Sequence, residues 1–435
     1  MAQFRFRSAV TPLRRGAQPR GQAPAGPRPP VDEVVRSLRP SEPVHCIRPE
    51  VLRATAERFV ASFPGEVLYA VKCNPEPAVL RALRAGGVRR FDCASPGEVR
   101  LVRQLFPEAS VHYMHPVKSP AAIRQAWAEH GVTDFSLDSD EEIDKVLAET
   151  GAAADPDASA RLGLFVRLAL PKGGAVYDLS GKFGAAPDEA ARLLRRARAV
   201  AGTVGICFHV GSQCLDPGAY ARAIRLAAGV AREAGVTPDV LDVGGGFPVS
   251  YPDVTPPPLD DFMAAIGEAF REAGFGPGTR LWCEPGRALV APGASLVVQV
   301  IRRRGDELFV NDGVYGSLSD AGVPGFRFPA RLVRPDRAES PSGNPATPRG
   351  FSLYGPTCDS ADRMEGPFVL PDDVRPGDWI ELGQLGAYGG CLRTAFNGFD
   401  HARLVEVADG PLLATPGYPH AREPERAPAD ALRVA

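Results

Sequence analysis

The sequence lacks several features that would assign its class at once. It has no charge excess: 50 basic against 52 acidic residues leave a formal net charge of −2 over 435 residues. No whole-molecule field therefore gathers nucleic acid or an acidic membrane surface. Long apolar runs are missing as well. The longest, such as Leu296 to Ile301, are strand-sized, against the roughly 18 residues that a bilayer demands. The eight cysteines, at 46, 73, 93, 207, 214, 283, 358 and 391, contain no Cys-x-x-Cys pair and no histidine at zinc-finger spacing. Reduced thiols in a cytoplasm are the expectation for such a chain. Nucleic-acid module and integral membrane protein are both disfavoured. Lysine is scarce beside arginine, so each lysine is more informative. Glycine (46) and proline (44) each make up about a tenth of the chain, above average usage.

The ends read as tails. Met1 to Pro30 is rich in Arg and Pro and has no acidic residue, a composition suited to a disordered extension and compatible with a transit peptide. The domain reading is a basic tail over 1–40, a barrel over 41–290, a β domain over 291–420 and a second tail over 421–435. A strand within 41–48, at Pro43–Ile47, is assigned to the β domain. Pro335 to Gly350, rich in Pro, Ser, Gly and Asn, reads as a surface loop.

Eight short apolar or β-branched runs alternate with helical patterns. The runs are Val67–Lys72, Arg89–Ser95, Val111–Pro116, Asp134–Ser139, Leu162–Leu170, Val204–Gly211, Val240–Gly246 and Arg280–Glu284. Helical patterns lie between them, at Pro77–Ala85, Pro96–Leu105, Pro120–Glu129, Asp140–Glu149, Asp188–Val200, Pro217–Ala234 and Leu259–Ala273. Several open on Pro or Asp in the first turn, an expected helix start. Eight β–α units over about 220 residues predict an α/β fold, a (β/α)8 TIM-like barrel. A doubly wound sheet competes less well, because no dinucleotide fingerprint is present. After Glu284, strand-like segments at Ser295–Arg302, Glu307–Asn311, Gly325–Leu332, Phe368–Leu370, Trp379–Leu382 and Arg403–Val407 predict an all-β second domain.

In such barrels chemistry sits at the C-terminal strand ends. Those ends carry Lys72, Asp92-Cys93 with Glu98 beyond, His115, His209 with Gly211-Ser212, Gly244-Gly245-Gly246 and Glu284-Pro285-Gly286-Arg287. Three glycines after strand seven allow close backbone approach to an anion. With Arg287 after strand eight they predict a phosphate-bearing ligand at the usual phosphate corner. Lys72 closes an apolar strand, so its ammonium is expected in the barrel mouth. An inward lysine, a phosphate cradle and an inward carboxylate at Glu284 suit pyridoxal phosphate: a Schiff-base lysine, a phosphate site and an acidic partner for the pyridine nitrogen. His209 is placed on the ring face.

Further segments extend the pattern. They are Tyr69-Ala70-Val71-Lys72-Cys73-Asn74, Phe91-Asp92-Cys93-Ala94-Ser95-Pro96-Gly97-Glu98, Lys182-Phe183-Gly184 and Phe208-His209-Val210-Gly211-Ser212. Next come Asp242-Val243-Gly244-Gly245-Gly246-Phe247-Pro248 and Glu284-Pro285-Gly286-Arg287. The β region adds Val314-Tyr315-Gly316-Ser317, Gly355-Pro356-Thr357-Cys358-Asp359, Gly386-Ala387-Tyr388 and Phe396-Asn397-Gly398-Phe399. In this order they resemble the barrel-fold (fold type III) pyridoxal-phosphate decarboxylases acting on ornithine, lysine, diaminopimelate and arginine, and the ornithine group most closely. The resemblance runs over roughly residues 41 to 410.

The resemblance implies roles. Lys72 carries the cofactor covalently and His209 stacks on its ring. Ser212, Gly244, Gly245, Gly246, Gly286, Arg287 and Tyr388 hold the phosphate, and Glu284 pairs with the pyridinium nitrogen. Asp92 and Glu98 lie near the lysine. A carboxylate at Glu284 keeps the ring nitrogen protonated, which favours decarboxylation; the related alanine racemases place a cation there. Cys358 is the implied acid that protonates the α-carbon, and the adjacent Asp359 carboxylate disfavours a thiolate. Cys358 and Asp359 are implied to enter the site of a partner subunit in a head-to-tail homodimer.

Asp359 suits a substrate with a distal ammonium, where diaminopimelate enzymes carry Glu. The second acid of eukaryotic ornithine enzymes, nine residues after the equivalent of Tyr315, is Pro324 here. Asp320, five residues after Tyr315, either substitutes for it or is a loop residue. The expectation is a cytoplasmic homodimeric enzyme that makes putrescine from ornithine, and cadaverine from lysine, for polyamine synthesis, with no metal. A diaminopimelate or arginine decarboxylase and a catalytically dead regulatory homologue are the alternatives.

Overall fold

A computed structural model describes residues 28–171, 175–177, 181–334 and 347–419. The tail readings for 1–27 and 421–435, and the loop reading for 335–346, lie outside the described residues.

The described residues begin beside the β domain. Helix α1 (Val31–Leu38) leads into strand β1 (Val44–Ile47), and α2 (Pro49–Ser62) crosses to the barrel. The barrel strands are β2 (Glu66–Ala70), β3 (Arg90–Cys93), β4 (Ser110–Tyr113), β5 (Asp134–Leu137) and β6 (Gly163–Arg167). A two-stranded excursion, β7 (Ala175–Tyr177) with β9 (Ser212–Cys214), flanks β8 (Thr203–Cys207). Strands β10 (Val240–Asp242) and β11 (Arg280–Cys283) complete the circle. Eight parallel strands close in the order β10-β11-β2-β3-β4-β5-β6-β8, with Trp282 opposite Glu66 at the seam. All eight runs read from the sequence are these strands.

The intervening helices start as their sequences dictate. Ser95, Ser119 and Ser139 accept the backbone N–H three residues on, and Pro occupies the first turn after Ser95 and Ser119. Successive strand residues alternate between helices and barrel interior. The floor is apolar: Trp282 stacks on Phe165 at 5.2 Å and meets His112 edge-on at 4.8 Å. One layer above it stand Asp92, Arg167, Asp242 and Glu284, so the polar side chains gather at the mouth.

The remaining strands are β12 (Ala294–Arg304), β13 (Glu307–Val310), β14 (Ala330–Val333), β15 (Pro348–Tyr354), β16 (Arg363–Pro371), β17 (Trp379–Leu382) and β18 (Arg403–Glu406). They form one sheet in the order β14-β17-β12-β13-β15-β16, and β1 pairs with both β12 and β18. The expected (β/α)8 barrel with an all-β domain is therefore the observed architecture. Among the described residues no helix is long and apolar enough to cross a membrane.

Three segments differ from the sequence reading. Residues 31–38, placed in a tail, form α1, because Val31, Val34 and Val35 make a short buried stripe against Val44, Val297, Val333 and Trp379. The strand expected over Gly325–Leu332 is confined to Ala330–Val333. Phe326 and Phe328 alternate like strand residues but pack on Tyr251, with ring centroids at 5.0 and 5.7 Å. Strand β15 begins at Pro348, inside the stretch read as loop.

Candidate active site

Lys72 sits on a single 3-10 turn (Val71–Cys73) immediately after β2, and its Nζ donates to Asp92 Oδ2 at 2.9 Å. Asp92 is 1% exposed and the lysine side chain 43%. The lysine's exposure is to a cavity of about 470 Å3 that it lines with Arg167, His209, Glu284, Arg287 and Tyr388. Burial alone would lower the pKa of the Lys72 amine. The Asp92 and Glu284 carboxylates outweigh it and hold the pKa above the ordinary lysine value.

Glu284 follows β11, and its backbone N–H donates to the Gly244 carbonyl at 2.8 Å. The side chain is buried and Oε1 has no hydrogen-bond partner. Asp242 lies beside it, with Oδ1 accepting from Gly244 N–H at 2.8 Å and Oδ2 unpartnered. The two carboxyls are close enough to influence each other's protonation. Burial raises Asp242 to about 6 against the lowering effect of the Gly244 N–H, and burial, then Asp242 and Asp92, hold Glu284 well above the usual range. Oε1 of Glu284 is left free to meet a basic nitrogen in the cavity.

His209 accepts from Gly211 N–H through Nδ1 at 3.0 Å, which places the proton of a neutral ring on Nε2. Burial, then Arg167 and Lys72, hold its pKa well below the ordinary value, so it is uncharged. The Gly244–Gly246 turn is the closest backbone approach at this corner. Gly244 (φ +67) and Gly246 (φ +101) adopt left-handed conformations, and a Cβ on Gly246 would lie 2.4 Å from the Gly211 carbonyl oxygen. The Gly245 and Gly246 carbonyls are engaged by the Tyr220 hydroxyl and Cys214 N–H. Ser212, Gly245, Gly246, Gly286 and Arg287 all line the cavity. Tyr388 reaches it from the β domain, anchored by its N–H on the Cys73 carbonyl at 3.0 Å, with its ring 5.0 Å from the Arg287 guanidinium.

An amine on one wall, an orphan carboxyl oxygen on another, and a glycine-arginine corner suit a phosphorylated pyridine aldehyde. Pyridoxal phosphate fits these residues.

The cavity thus brings together Lys72, His209, Ser212, Gly245, Gly246, Glu284, Gly286, Arg287 and Tyr388; Asp92 and Gly244 stand behind it, against Lys72 and Glu284. Four other residues named from the sequence, Cys358, Asp359, Tyr315 and Asp320, stand apart. Cys358 is exposed, and its N–H donates to Asn397 Oδ1 at 3.1 Å. Asp359 accepts from the Tyr315 hydroxyl and from Ala361 N–H, contacts that hold its carboxyl below the usual range. Tyr315 packs on Phe396 at 4.9 Å. Cys358, Asp359 and Tyr315 do not line the cavity of their own chain. Asp320 does not line it either; its carboxylate lies against Arg287. The sequence reading missed Arg167, which lines the cavity from the end of β6. Its inward position in that strand was the signal available.

Comparison with known proteins agrees with this geometry. Residues 50–291 match the model of the pyridoxal-dependent decarboxylase pyridoxal-binding domain. The lysine/ornithine decarboxylase of Selenomonas ruminantium is 35% identical over 359 residues, 80% of this chain and 85% of that protein. Mouse ornithine decarboxylase is 34% identical over 373 residues, 79% of this chain and 76% of that protein. The crystal structure of the Paramecium bursaria Chlorella virus arginine decarboxylase superposes with a TM-score of 0.75 at 28% identity, covering 87% of this chain and 99% of that one. With an amine, a carboxyl and an anion corner around one barrel mouth, the chain belongs to the pyridoxal-dependent decarboxylase family and is a pyridoxal-phosphate enzyme.

Proposed function

We propose that the protein decarboxylates L-ornithine, and L-lysine less selectively, to putrescine and cadaverine, as a homodimer whose two sites each draw on both chains. The observation that carries the substrate reading is the carboxylate at Asp359, next to Cys358 and oriented by the Tyr315 hydroxyl. A fixed carboxylate attracts a distal ammonium and repels a distal carboxylate, which disfavours diaminopimelate. Relatives named for ornithine and for lysine/ornithine support the reading. One methylene changes binding by only about 1–3 kcal/mol, so lysine is the second substrate to test beside ornithine.

Bound pyridoxal phosphate supplies the electron sink for the carbon that loses CO2. The chain supplies the rest. Lys72 Nζ would hold the cofactor covalently, and Asp92 fixes the position of that nitrogen through its 2.9 Å hydrogen bond. Glu284, with Oε1 free, would pair with the ring nitrogen and hold a proton on it. Arg287, the glycine corner, Ser212 and Tyr388 would hold the phosphate, and His209 adds no charge beside Lys72. Cys358 of a second copy donates the proton to the α-carbon. Its separation from the Lys72 cavity within one chain supports a shared site, as does exposed apolar surface at Leu392, Phe396 and Phe399.

The test is CO2 release with ornithine, lysine, meso-diaminopimelate and arginine. Preference for diaminopimelate or arginine would overturn the substrate reading, and silence on all four would revive the regulatory homologue. Mixing inactive Lys72→Ala and Cys358→Ala chains in equal amounts tests sharing. Random pairing of two inactive chains restores about a quarter of wild-type activity if sites are shared, and none if they are not.

A further inference from the structure

Arg287 is held more completely than a residue reserved for an incoming anion requires. Nη2 donates to Asp320 Oδ2 at 2.9 Å and Nη1 to the Tyr251 hydroxyl at 2.7 Å. Its guanidinium carbon lies 4.8, 5.0 and 6.0 Å from the ring centroids of Phe326, Tyr388 and Tyr251. The paired side chains are only 7% and 15% exposed, and Arg287 Nε is buried without a partner. Asp320 is fixed in turn. It lies on a 3-10 turn (Ser319–Ala321), and its carbonyl accepts from Phe326 N–H at 2.9 Å. Rings on the faces and hydrogen bonds at one edge give the cation a single orientation, with Nε–H among the donors left over.

The sequence left Asp320 either as a reader of the substrate's distal ammonium or as a loop residue. Its placement fits neither. A carboxylate already on a guanidinium in a low-dielectric site has little charge left for a second cation.

We infer that Asp320 is the counter-ion of Arg287 and competes with the ligand phosphate for it, so that it tunes cofactor affinity and leaves the distal ammonium to Asp359. The inference rests on reading Arg287 as a phosphate holder. Two effects oppose each other. Asp320 keeps a buried cation paired and oriented, which stabilises the fold and pre-forms the corner. It also places a negative charge a few ångströms from where a phosphate must bind. Removing that charge should tighten phosphate binding, because the phosphate becomes the main counter-ion of Arg287. A unit charge at such separations is worth on the order of ten-fold or more in affinity.

The experiment measures binding of pyridoxal phosphate and of pyridoxal to full-length protein freed of cofactor by dialysis. Asp320→Asn should bind pyridoxal phosphate roughly ten-fold tighter, leave pyridoxal unchanged, and melt at a lower temperature without ligand. Asp320→Glu, which keeps the charge, should stay near wild type and serves if the Asn variant folds poorly. Unchanged or weaker pyridoxal phosphate binding in Asp320→Asn would overturn the inference, as would an equal change for pyridoxal. An altered ornithine-to-lysine KM ratio at unchanged cofactor affinity would instead make Asp320 a substrate reader. Arg287→Met separates the two failures. If it does not reduce the preference for pyridoxal phosphate over pyridoxal, the phosphate reading of Arg287 fails; if it does, only the competition is at stake.

Discussion

Lys72 Nζ and Asp92 Oδ2 are 2.9 Å apart, and the aspartate is almost fully buried while the lysine faces the cavity. The carboxylate therefore acts on the amine from within the barrel wall. Lys72→Ala should abolish covalent retention of cofactor and nearly all turnover. Borohydride reduction followed by mass measurement should add a cofactor mass to the wild type and none to the variant. Normal activity in Lys72→Ala would remove the amine from the chemistry.

Cys358 makes no contact with the Lys72 cavity of its own chain, so replacing it should not disturb cofactor loading. Cys358→Ala should keep the cofactor absorption of the wild type but lose a proton donor, a role typically worth about 100-fold or more. Aldehyde products should rise as the proton is delivered to the wrong atom. Unchanged kinetics and products would exclude the thiol.

The buried Asp242 carboxyl makes a pH prediction with a definite sign. Its folded pKa is raised to about 6 by burial, above that of the unfolded chain. Between roughly pH 4 and 6 the folded state holds the extra proton, so this contribution to stability falls as pH rises through that window. Asp242→Asn retains an oxygen for Gly244 N–H and removes the titration. Relative to wild type, the variant should gain stability from pH 4.5 to 7.5, by on the order of 2 kcal/mol. Denaturant titrations of cofactor-free protein at both pH values test it; a constant difference would refute the assignment.

Glu381 on β17 is wholly buried and ties three elements together. Oε1 accepts from Arg48 Nη2 and Ser295 Oγ, both at 2.6 Å, and Oε2 from Arg331 Nε at 2.6 Å. Arg331 continues to Asp32 on α1 at 2.7 Å. Glu381→Ala leaves Arg48 buried without its counter-ion and should cost about 3–5 kcal/mol. Proteolysis should begin near α1 in the variant, while any folded fraction still binds cofactor. A loss below 1 kcal/mol in denaturant unfolding would contradict this.

Much of the molecule follows from local pattern. Each barrel strand is a short apolar run, and the Ser and Pro residues that start helices act within a few positions. A (β/α)8 topology then puts all strand ends on one face, so Lys72, His209, Glu284 and Arg287 could be grouped before any contact was known. Long-range pairing was not legible in this way. Arg167 looks like any strand residue until sheet closure turns it inward. The three valines of α1 are too few for a helical signal until the β sheet covers them. Phe326 and Phe328 keep strand alternation while packing on Tyr251 and, for Phe326, Arg287. Asp320 meets Arg287 across 33 residues of chain, and Cys358 stands outside its own cavity. The sequence by itself determined the elements and the kinds of chemistry at their ends, because backbone and side-chain preferences act over a few residues. Only the tertiary structure decided which charges share a proton or a counter-ion, because that depends on distances set by closing the barrel and docking the β domain on it.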